Sequence, residues 1–403
     1  MNGKPLSRAA MAAVLLLLAF PQLSETIYAP VLPRIAAAFA VAPGMAQWAV
    51  SIDFAAFAVG VLFWGRLSDL QGRRPALLAG LACYALAALL ALAAGSFGTL
   101  LLARALQSFG AACGSIVVQT MLRDRFQGAQ LAAVFSTIVA VLALSPAVGP
   151  PLGAMLASRY GVHGVLVCLA ALSLVFLLCG ASLPETRPAH AAAPAPLLPT
   201  AWRMTCDRQL WSAAWLVAGF NLILFGYYTI APFTLNQLQM PDWMFGASGI
   251  LIAVAGGLGA RLNRRGLLRH SPAHLTALAA LGALLSSALQ WMAMTAAAGH
   301  PLAAALAMLG TQMLLVLAFA CAIPNVLASA LSRYRDVQGT AGALFGLAYY
   351  LMLSAGLGLL SALYRPQPMF QPVFMLLVSA AIMPCAVLAR RQAALALRTE
   401  ASS

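Results

Sequence analysis

Three ionisable side chains lie in stretches of sequence that are otherwise apolar: Glu25, Asp53 and Arg104. An ionised group at the centre of a bilayer costs about 2.5–3.5 kcal/mol, so such residues mark ion pairs or proton relays. One cation facing two carboxylates leaves one excess negative charge, which a bound proton would neutralise. We predict that Glu25 is the principal proton carrier, with Asp53 a second titrating or pairing group and Arg104 tuning both. The alternative is a structural ion pair that fixes helix packing.

These three residues must lie at similar depth to act together. The apolar stretch around Glu25 begins about 15 residues before it, whereas Asp53 and Arg104 follow the starts of their stretches by about seven and five residues. At a helical rise of about 1.5 Å per residue, and with the first helix antiparallel to the other two, all three fall in the outer half of a bilayer.

The composition requires a membrane. Of 403 residues, 63% are hydrophobic and 8% are charged, which is too little polar material to cover a soluble domain. We predict an all-α polytopic membrane protein with twelve transmembrane helices in two pseudo-symmetric six-helix bundles. The predicted spans are 10–32, 46–65, 76–95, 99–121, 130–154, 163–183, 210–232, 244–262, 273–294, 302–325, 340–362 and 370–389.

The distribution of Lys and Arg predicts the orientation. With the N-terminus inside, 19 of the 23 basic residues fall in inner segments, three fall in outer segments (Arg34, Arg159 and Arg365), and Arg104 lies within a span. This asymmetry predicts that both termini are cytoplasmic. The net charge of +14 does not indicate nucleic-acid binding, because the basic residues form short clusters between apolar runs.

A Pro- and Ala-rich inner segment divides the chain into two halves of six spans. We predict an N-terminal bundle at 1–183, a cytoplasmic linker at 184–209 and a C-terminal bundle at 210–403. An internal echo supports this division, since Arg123-Asp-Arg-Phe-Gln-Gly follows span 4 and Arg333-Tyr-Arg-Asp-Val-Gln-Gly follows span 10. Two parallel halves that rock about a midplane site are a transporter architecture.

Two glycine-containing motifs stand out in the first half. The segment between spans 2 and 3 contains Gly65, Asp69, Gly72, Arg73 and Arg74, which we predict to form a tight cytoplasmic gate loop. The alternative is an ordinary positive-inside loop. Span 5 contains a second motif, in which prolines bend the helix and glycines allow close helix contact at an interface between the halves. Its residues are Pro146, Gly149, Pro150 and Gly153.

Polar and aromatic side chains at helical spacing predict a greasy substrate cavity with few polar anchors. Aromatic stripes of this kind also occur in packing or lipid-facing positions, which is the alternative. The candidate cavity residues are Gln22, Tyr28, Phe57, Gln107, Asn221, Phe225, Tyr228, Phe345 and Tyr349.

The ordered string Gly65-Arg-Leu-Ser-Asp69-Leu-Gln-Gly72-Arg73-Arg74 resembles the loop signature of the major facilitator superfamily. Arg104-Ala-Leu-Gln107 is similar to its R-x-x-Q-G element, and the span 5 motif is similar to the G-P-x-x-G-G element of antiporters. Leu23-Ser-Glu25-Thr-Ile-Tyr28-Ala-Pro-Val-Leu-Pro33 resembles the first-helix segment of the bicyclomycin/chloramphenicol-resistance (Bcr/CflA) subfamily of drug:proton antiporters. The chain departs from these patterns at Leu70, Ser108 and Ala154, and it has Glu25 where the subfamily usually has Asp.

The resemblance implies proton-coupled efflux of small amphipathic compounds across the bacterial inner membrane by alternating access, with a multidrug range. The alternatives are a dedicated exporter of a self-made metabolite such as a siderophore, and a proton-coupled nutrient importer. We expect a monomer in the lipid bilayer whose partners are a small-molecule substrate and protons. No Walker A string, catalytic triad or metal-ligand spacing is found, so we expect no enzyme activity, no cofactor and no metal.

Overall fold

The computed structural model describes residues 8–188, 196–334 and 337–402, and these residues form helices joined by short connections. Lys4, Arg335 and residues 189–195 of the predicted linker lie outside the described residues. The helices are α1 (Arg8–Tyr28), a 3-10 turn (Ala29–Val31), α2 (Leu32–Ala38), α3 (Pro43–Gln71), α4 (Arg73–Leu92), α5 (Phe97–Arg125), α6 (Gly128–Ser182), α7 (Leu197–Thr205), α8 (Arg208–Gln237), α9 (Asp242–Gly266), α10 (Pro272–Ala296), α11 (Pro301–Ala330), α12 (Gln338–Leu363) and α13 (Phe370–Ser402).

Eleven candidate spans in the described residues are long and apolar enough to cross a membrane. Helix α6 has 55 residues, which corresponds to about 82 Å of helix and exceeds the roughly 30 Å hydrocarbon layer more than twofold. Gly161 breaks this helix with non-helical backbone angles (φ 63°, ψ −159°). Predicted spans 5 and 6 are therefore the two arms of α6, and the all-α polytopic fold is confirmed.

Proline has different consequences in the first and sixth helices. Predicted span 1 lies within the candidate span Ala10–Ala38. The α-helix changes to a 3-10 turn at Ala29–Val31, because Pro30 cannot donate a backbone hydrogen bond. By contrast, Pro146 and Pro150 lie inside α6 without interrupting it. The break in α6 occurs at Gly161 instead, since glycine adopts a positive φ at low cost.

The chain divides into two compact units, Met1–Ala195 and Pro196–Ser403. The dividing point lies within the predicted linker 184–209. The predicted linker contains ordered structure that belongs to both units. Residues 184–188 contact the N-terminal unit, and the linker also contains the short helix α7 of the C-terminal unit, which the sequence analysis did not predict.

In the N-terminal unit, α5 packs against α3 and α4, and α1 packs against α6. Small residues allow the backbones to approach closely, as expected for membrane helices. A Cβ atom on Gly60 of α3 would lie 2.6 Å from the Phe109 carbonyl oxygen of α5, and one on Gly110 would lie 2.7 Å from the Gly80 carbonyl oxygen of α4. The contacts of α5 with both neighbours therefore depend on glycine.

The C-terminal unit repeats this pattern of packing. Here α10 packs against α11 and α13, and α9 packs against α11. A Cβ atom on Gly259 of α9 would lie 2.6 Å from the Leu317 carbonyl oxygen and 2.8 Å from Ala320 Cβ, the same distances that Gly60 shows to Phe109 and Ala112. The α3–α5 and α9–α11 pairs are thus equivalent parts of an internal repeat.

Candidate functional site

A buried ion pair joins two helices of the N-terminal unit. Arg104 of α5 donates from Nη2 to Asp53 Oδ1 of α3 over 2.5 Å, and the two residues are 2% and 7% exposed. Ser108, one turn after Arg104 on the same helix, is also buried. The close α3–α5 contact at Gly60 fixes the two helices at the separation that this pair requires. The predicted common depth of Asp53 and Arg104 agrees with this geometry.

Arg104 has further partners, but its guanidinium is not saturated. Nη1 donates to Gln107 Oε1 over 3.3 Å, and the guanidinium carbon lies 4.1 Å from the centre of the Tyr28 ring. A desolvated cation–π contact of this kind contributes about 2 kcal/mol. Arg104 Nε, Gln107 Nε2 and the Tyr28 hydroxyl are buried without a hydrogen-bond partner. Buried donors of this kind are positions for water or a polar ligand atom.

Glu25 of α1 is the third charged member of this cluster. Its carboxylate interacts electrostatically with Asp53 and with Arg104, and its Oε1 is buried without a hydrogen-bond partner. Within the described residues, the cluster therefore contains one guanidinium and two carboxyl groups. One bound proton would make the cluster neutral.

Close packing on α1 fixes the position of Glu25. Gly149 and Gly153 of α6 lie against Thr26 and Ile27, so closely that a side chain on either glycine would overlap α1. The span 5 motif thus contacts α1 of the same unit, and the predicted interface between the halves stays a prediction. The sequence did not indicate this contact with α1, because glycine spacing indicates close packing without naming the neighbouring helix.

The N-terminal unit contains further buried polar side chains, which the sequence pattern did not indicate. The hydroxyl groups of Ser24 and Tyr84 share a hydrogen bond of 2.8 Å, and Tyr84 stacks edge-on against Phe20 at 4.4 Å. Gln47 of α3 is fully buried, and both of its amide atoms lack a partner. Each of these residues is ordinary in an apolar helix, so only the tertiary contacts distinguish them.

The predicted gate loop is shorter than expected. Residues 65–71 continue α3 and Arg73 begins α4, so only Gly72 lies between the two helices. Gly72 has a φ of 114°, which side-chain-bearing residues rarely adopt. The Arg73 guanidinium pairs with Asp69 and donates from Nε to Asp124 Oδ2 at the end of α5 over 2.9 Å. This arginine therefore ties the turn to a third helix.

Glu185 completes this network, and the sequence analysis missed it together with Asp124. Its carboxylate accepts the backbone N–H groups of Arg73 and Arg74, at 2.9 and 3.0 Å, at the start of α4. Partial burial raises the pKa of Glu185, but hydrogen bonds from the backbone N–H groups of Arg187, Arg73, Arg74 and Thr186 outweigh it and hold that pKa below its usual range. Glu185 is an N-terminal helix cap supplied by a distant part of the chain.

The remaining candidate cavity residues of the N-terminal unit are Gln22 and Phe57. The side chain of Gln22 is half-buried on α1, and its carbonyl oxygen accepts the Thr26 hydroxyl over 2.8 Å. Phe57 packs against the hydrophobic core of this unit. The assignment of Gln22 and Phe57 to a substrate cavity stays a prediction.

In the C-terminal unit, the candidate cavity residues form two aromatic pairs and one amide. Phe225 and Tyr228 of α8 have ring centres 6.0 Å apart, and those of Phe345 and Tyr349 of α12 are 5.5 Å apart. Asn221 donates to the Val217 carbonyl oxygen of its own helix over 2.8 Å. The aromatic residues predicted to share a helix face are therefore in contact with each other, and their contact with a ligand stays a prediction.

The sequence profile described as "Major Facilitator Superfamily" matches residues 14–358. The chain belongs to the Major Facilitator Superfamily. Its paired Asp53 and Arg104, its Gly72 turn and its repeated glycine contacts are thus features of a major facilitator protein. The family identification made from the sequence is confirmed, and the chain is a multi-pass membrane transporter of small molecules.

Curated relatives of this major facilitator protein include transporters and drug-resistance proteins. A Rickettsia bellii protein named "Uncharacterized transporter" is 31% identical over 360 residues, which cover 87% of this chain and 89% of the relative. The "Multidrug resistance protein D" of Escherichia coli is 31% identical over 44% of this chain and 45% of its own length. A "Bicyclomycin resistance protein homolog" of Haemophilus influenzae is 33% identical over 41% of this chain and 42% of its own length.

Solved structures confirm the major facilitator fold. A peptide transporter in complex with sulfate has a TM-score of 0.76 at 14% identity, covering 95% of this chain and 94% of that structure. A D-xylose-proton symporter has a TM-score of 0.68 at 14% identity, covering 93% and 95% respectively. At this identity the likeness concerns the fold alone.

Proposed function

We propose that this protein exports small amphipathic compounds in exchange for protons, by alternating access, across the bacterial inner membrane. The observation that carries the proposal is the cluster of Glu25, Asp53 and Arg104, in which Asp53 and Arg104 are buried and Glu25 is partly buried. It combines a firm Asp53–Arg104 pair with a Glu25 carboxyl oxygen that has no hydrogen-bond partner. In this proposal Glu25 binds and releases the transported proton.

Charge neutrality explains why such a site favours one proton. The Asp53–Arg104 pair balances itself, so the negative charge of ionised Glu25 remains uncompensated in a low-dielectric interior. Protonation of Glu25 removes that charge, whereas a solute with a positive or polar group would take the place of the proton. Competition between a proton and a solute for one carboxylate is sufficient to couple their movements in opposite directions.

The proton gradient supplies enough free energy for this task. One proton entering down 100 mV releases about 2.3 kcal/mol, and one pH unit adds about 1.4 kcal/mol. The sum of about 3.7 kcal/mol would hold a neutral solute at a gradient of several hundredfold.

Efflux is favoured over uptake by two features. Relatives that match less than half of the chain are named as drug-resistance proteins, and the Gly149 and Gly153 element resembles that of antiporters. The excess of Lys and Arg in the inner segments favours cytoplasmic termini. The same cluster would also serve a dedicated metabolite exporter or a proton-coupled importer, so the test must separate these three.

The test uses purified full-length protein in liposomes with an imposed pH gradient, a pH-sensitive dye inside and a panel of amphipathic solutes. We expect several unrelated solutes to drive proton flux in the exchange direction. Flux with a single solute identifies a dedicated exporter, and flux of solute and protons in the same direction identifies a symporter. Absence of any solute-dependent proton flux would refute the coupling.

Glu25 is tested separately in detergent, where solute addition releases the bound proton. We expect release from the wild type and from Glu25→Asp, which keeps a carboxyl group, and none from Glu25→Gln. Solute binding by Glu25→Gln, measured by isothermal titration, shows that the variant is folded. Unchanged proton release from Glu25→Gln would remove Glu25 from the proposed role.

A further inference from the structure

The short helix α7 carries its apolar side outward. Leu198 and Trp202, which are one turn apart, are 84% and 75% exposed, whereas Thr200 and Met204 on the opposite side are buried. The buried side packs against α8 and α12 of the same unit. A tryptophan and a leucine on one exposed face are poorly suited to contact with water.

Contacts around Tyr334 hold α7 in this orientation. Arg203 donates to the Arg333 carbonyl oxygen at the end of α11 over 2.9 Å, and its guanidinium lies 4.8 Å from the centre of the Tyr334 ring. The Tyr334 hydroxyl donates in turn to Asp207 over 3.0 Å, and Asp207 caps the start of α8. These contacts hold α7 in place, so its apolar residues Leu198 and Trp202 point outward in the folded unit.

A cleft of about 930 Å³ opens beside α7, and Arg203, Arg208, Arg333, Tyr334 and Gln392 are among the residues that line it. The acidic residue in its lining is Asp207, whose carboxylate is already engaged by Tyr334 and by the first turn of α8. Further exposed arginines lie in the last turn of α9 and within α13: Arg264, Arg265, Arg390 and Arg391. The cleft is thus a basic site next to an apolar helix face.

These two features together match the interface of a bilayer. Tryptophan is enriched at the level of the lipid headgroups, and amphipathic helices at this level bury their apolar face beside the acyl chains. Trp211 in the first turn of α8 is also partly exposed and donates to the Thr205 carbonyl oxygen at the end of α7, so α7 lies at the beginning of a membrane span. An anionic headgroup would complement the arginines.

We propose that α7 lies in the headgroup layer with Leu198 and Trp202 in the lipid, and that the arginine-lined cleft binds the phosphate of an anionic phospholipid. The lipid then bridges α7 and the ends of α8 and α11. This role belongs to the C-terminal unit and does not depend on the proton cluster.

The experiment uses full-length protein in nanodiscs of phosphatidylcholine and phosphatidylglycerol, with bromine on the acyl chains of one lipid at a time. The signal of Trp202 is the fluorescence of the wild type minus that of Trp202→Phe. We expect brominated phosphatidylglycerol to quench this signal more than brominated phosphatidylcholine at equal mole fraction. Arg208→Gln and Arg333→Gln should each lower the preference by about fivefold, the factor expected for one charge at an anionic surface.

Two controls separate this site from general lipid exposure. Trp243, which is 65% exposed at the other end of the unit, should be quenched equally by both lipids. Arg261→Gln removes an exposed arginine that does not line the cleft and should leave the preference unchanged. Absence of quenching at Trp202 would show that α7 is not in the lipid. Equal quenching by both lipids, or no effect of Arg208→Gln and Arg333→Gln, would refute the anionic site. The measurement requires no transport, so its failure is distinct from failure of proton coupling.

Discussion

Replacement of Asp53 by Asn tests the charge balance of the buried cluster more sharply than removal of Glu25 itself. In the wild type, one guanidinium faces two carboxyl groups, and one proton restores neutrality. In Asp53→Asn, Arg104 and ionised Glu25 balance each other without a proton. We therefore expect Glu25 to remain ionised as the counter-ion of Arg104, and proton exchange to be lost although the proposed carrier residue is still present.

The structure gives the scale of the stability change. Removal of one member of a buried ion pair costs about 3–5 kcal/mol when the other charge is left unpaired. Glu25 interacts with Arg104 and has a free Oε1, so it should recover a part of this loss in Asp53→Asn. In the double variant Asp53→Asn/Glu25→Gln no carboxylate of the described cluster remains, and the full cost should appear. The melting temperature of the double variant should therefore be several degrees below that of Asp53→Asn for a unit of this size.

Two measurements check this reasoning. In dye-loaded liposomes, Asp53→Asn should move solute with no associated proton, whereas the wild type should move one proton per solute. In thermal unfolding, Glu25→Gln should match or exceed the wild type, Asp53→Asn should be lower, and the double variant should be lowest. The control is Asp242→Asn, which removes a carboxylate from the C-terminal unit and should leave the proton stoichiometry unchanged. One proton per solute in Asp53→Asn would show that the charge accounting is wrong.

Three further predictions concern the packing and capping of the helices. Gly60→Val should lower the free energy of unfolding by about 1–3 kcal/mol, because the α3–α5 contact has no room for a side chain. The control is Gly256→Val: Gly256 faces open space, so this change should lower the free energy of unfolding by less than half as much. Glu185→Gln should lower the melting temperature at neutral pH. The pKa of Glu185 in the folded protein lies below its usual value of about 4.3. The difference in melting temperature between variant and wild type should therefore be constant above about pH 4.3 and should vanish as the pH falls through the lower folded pKa. A difference in melting temperature that persists in acid would contradict the carboxylate cap. Asn325→Ala should lower the free energy of unfolding by about 1–3 kcal/mol, because it removes the 2.8 Å hydrogen bond to Asn263 and leaves that amide buried without a partner. Replacement of both residues by Leu should restore most of this stability in the same melting assay.

The two units stabilise equivalent helix pairs by different chemistry. In the N-terminal unit, Arg73 joins the ends of α3 and α5 through Asp69 and Asp124. In the C-terminal unit, the corresponding ends of α9 and α11 are joined by the neutral amides of Asn263 and Asn325. The charged connection is pH- and salt-sensitive, whereas the amide pair is not. The charged connection belongs to the same unit as Glu25, Asp53 and Arg104.

The amino-acid sequence by itself determined the class of fold and the charged cluster. Apolar runs of about 20 residues must become helices in a bilayer, because every backbone polar group has to be satisfied within its own segment. The same low dielectric makes each intramembrane charge costly. For this reason Glu25, Asp53 and Arg104 could be recognised, and placed at one depth, before any contact was known.

Only the tertiary structure decided which groups complete these sites. Asp124 and Glu185 are ordinary polar residues at helix ends in the sequence, and their roles arise because folding brings them to Arg73 and the start of α4 across long chain separations. The outward face of α7 likewise depends on which side α8 and α12 cover. Periodicity and hydropathy describe a helix and its solvent, whereas the choice of partner depends on side-chain packing between segments that are distant in the chain.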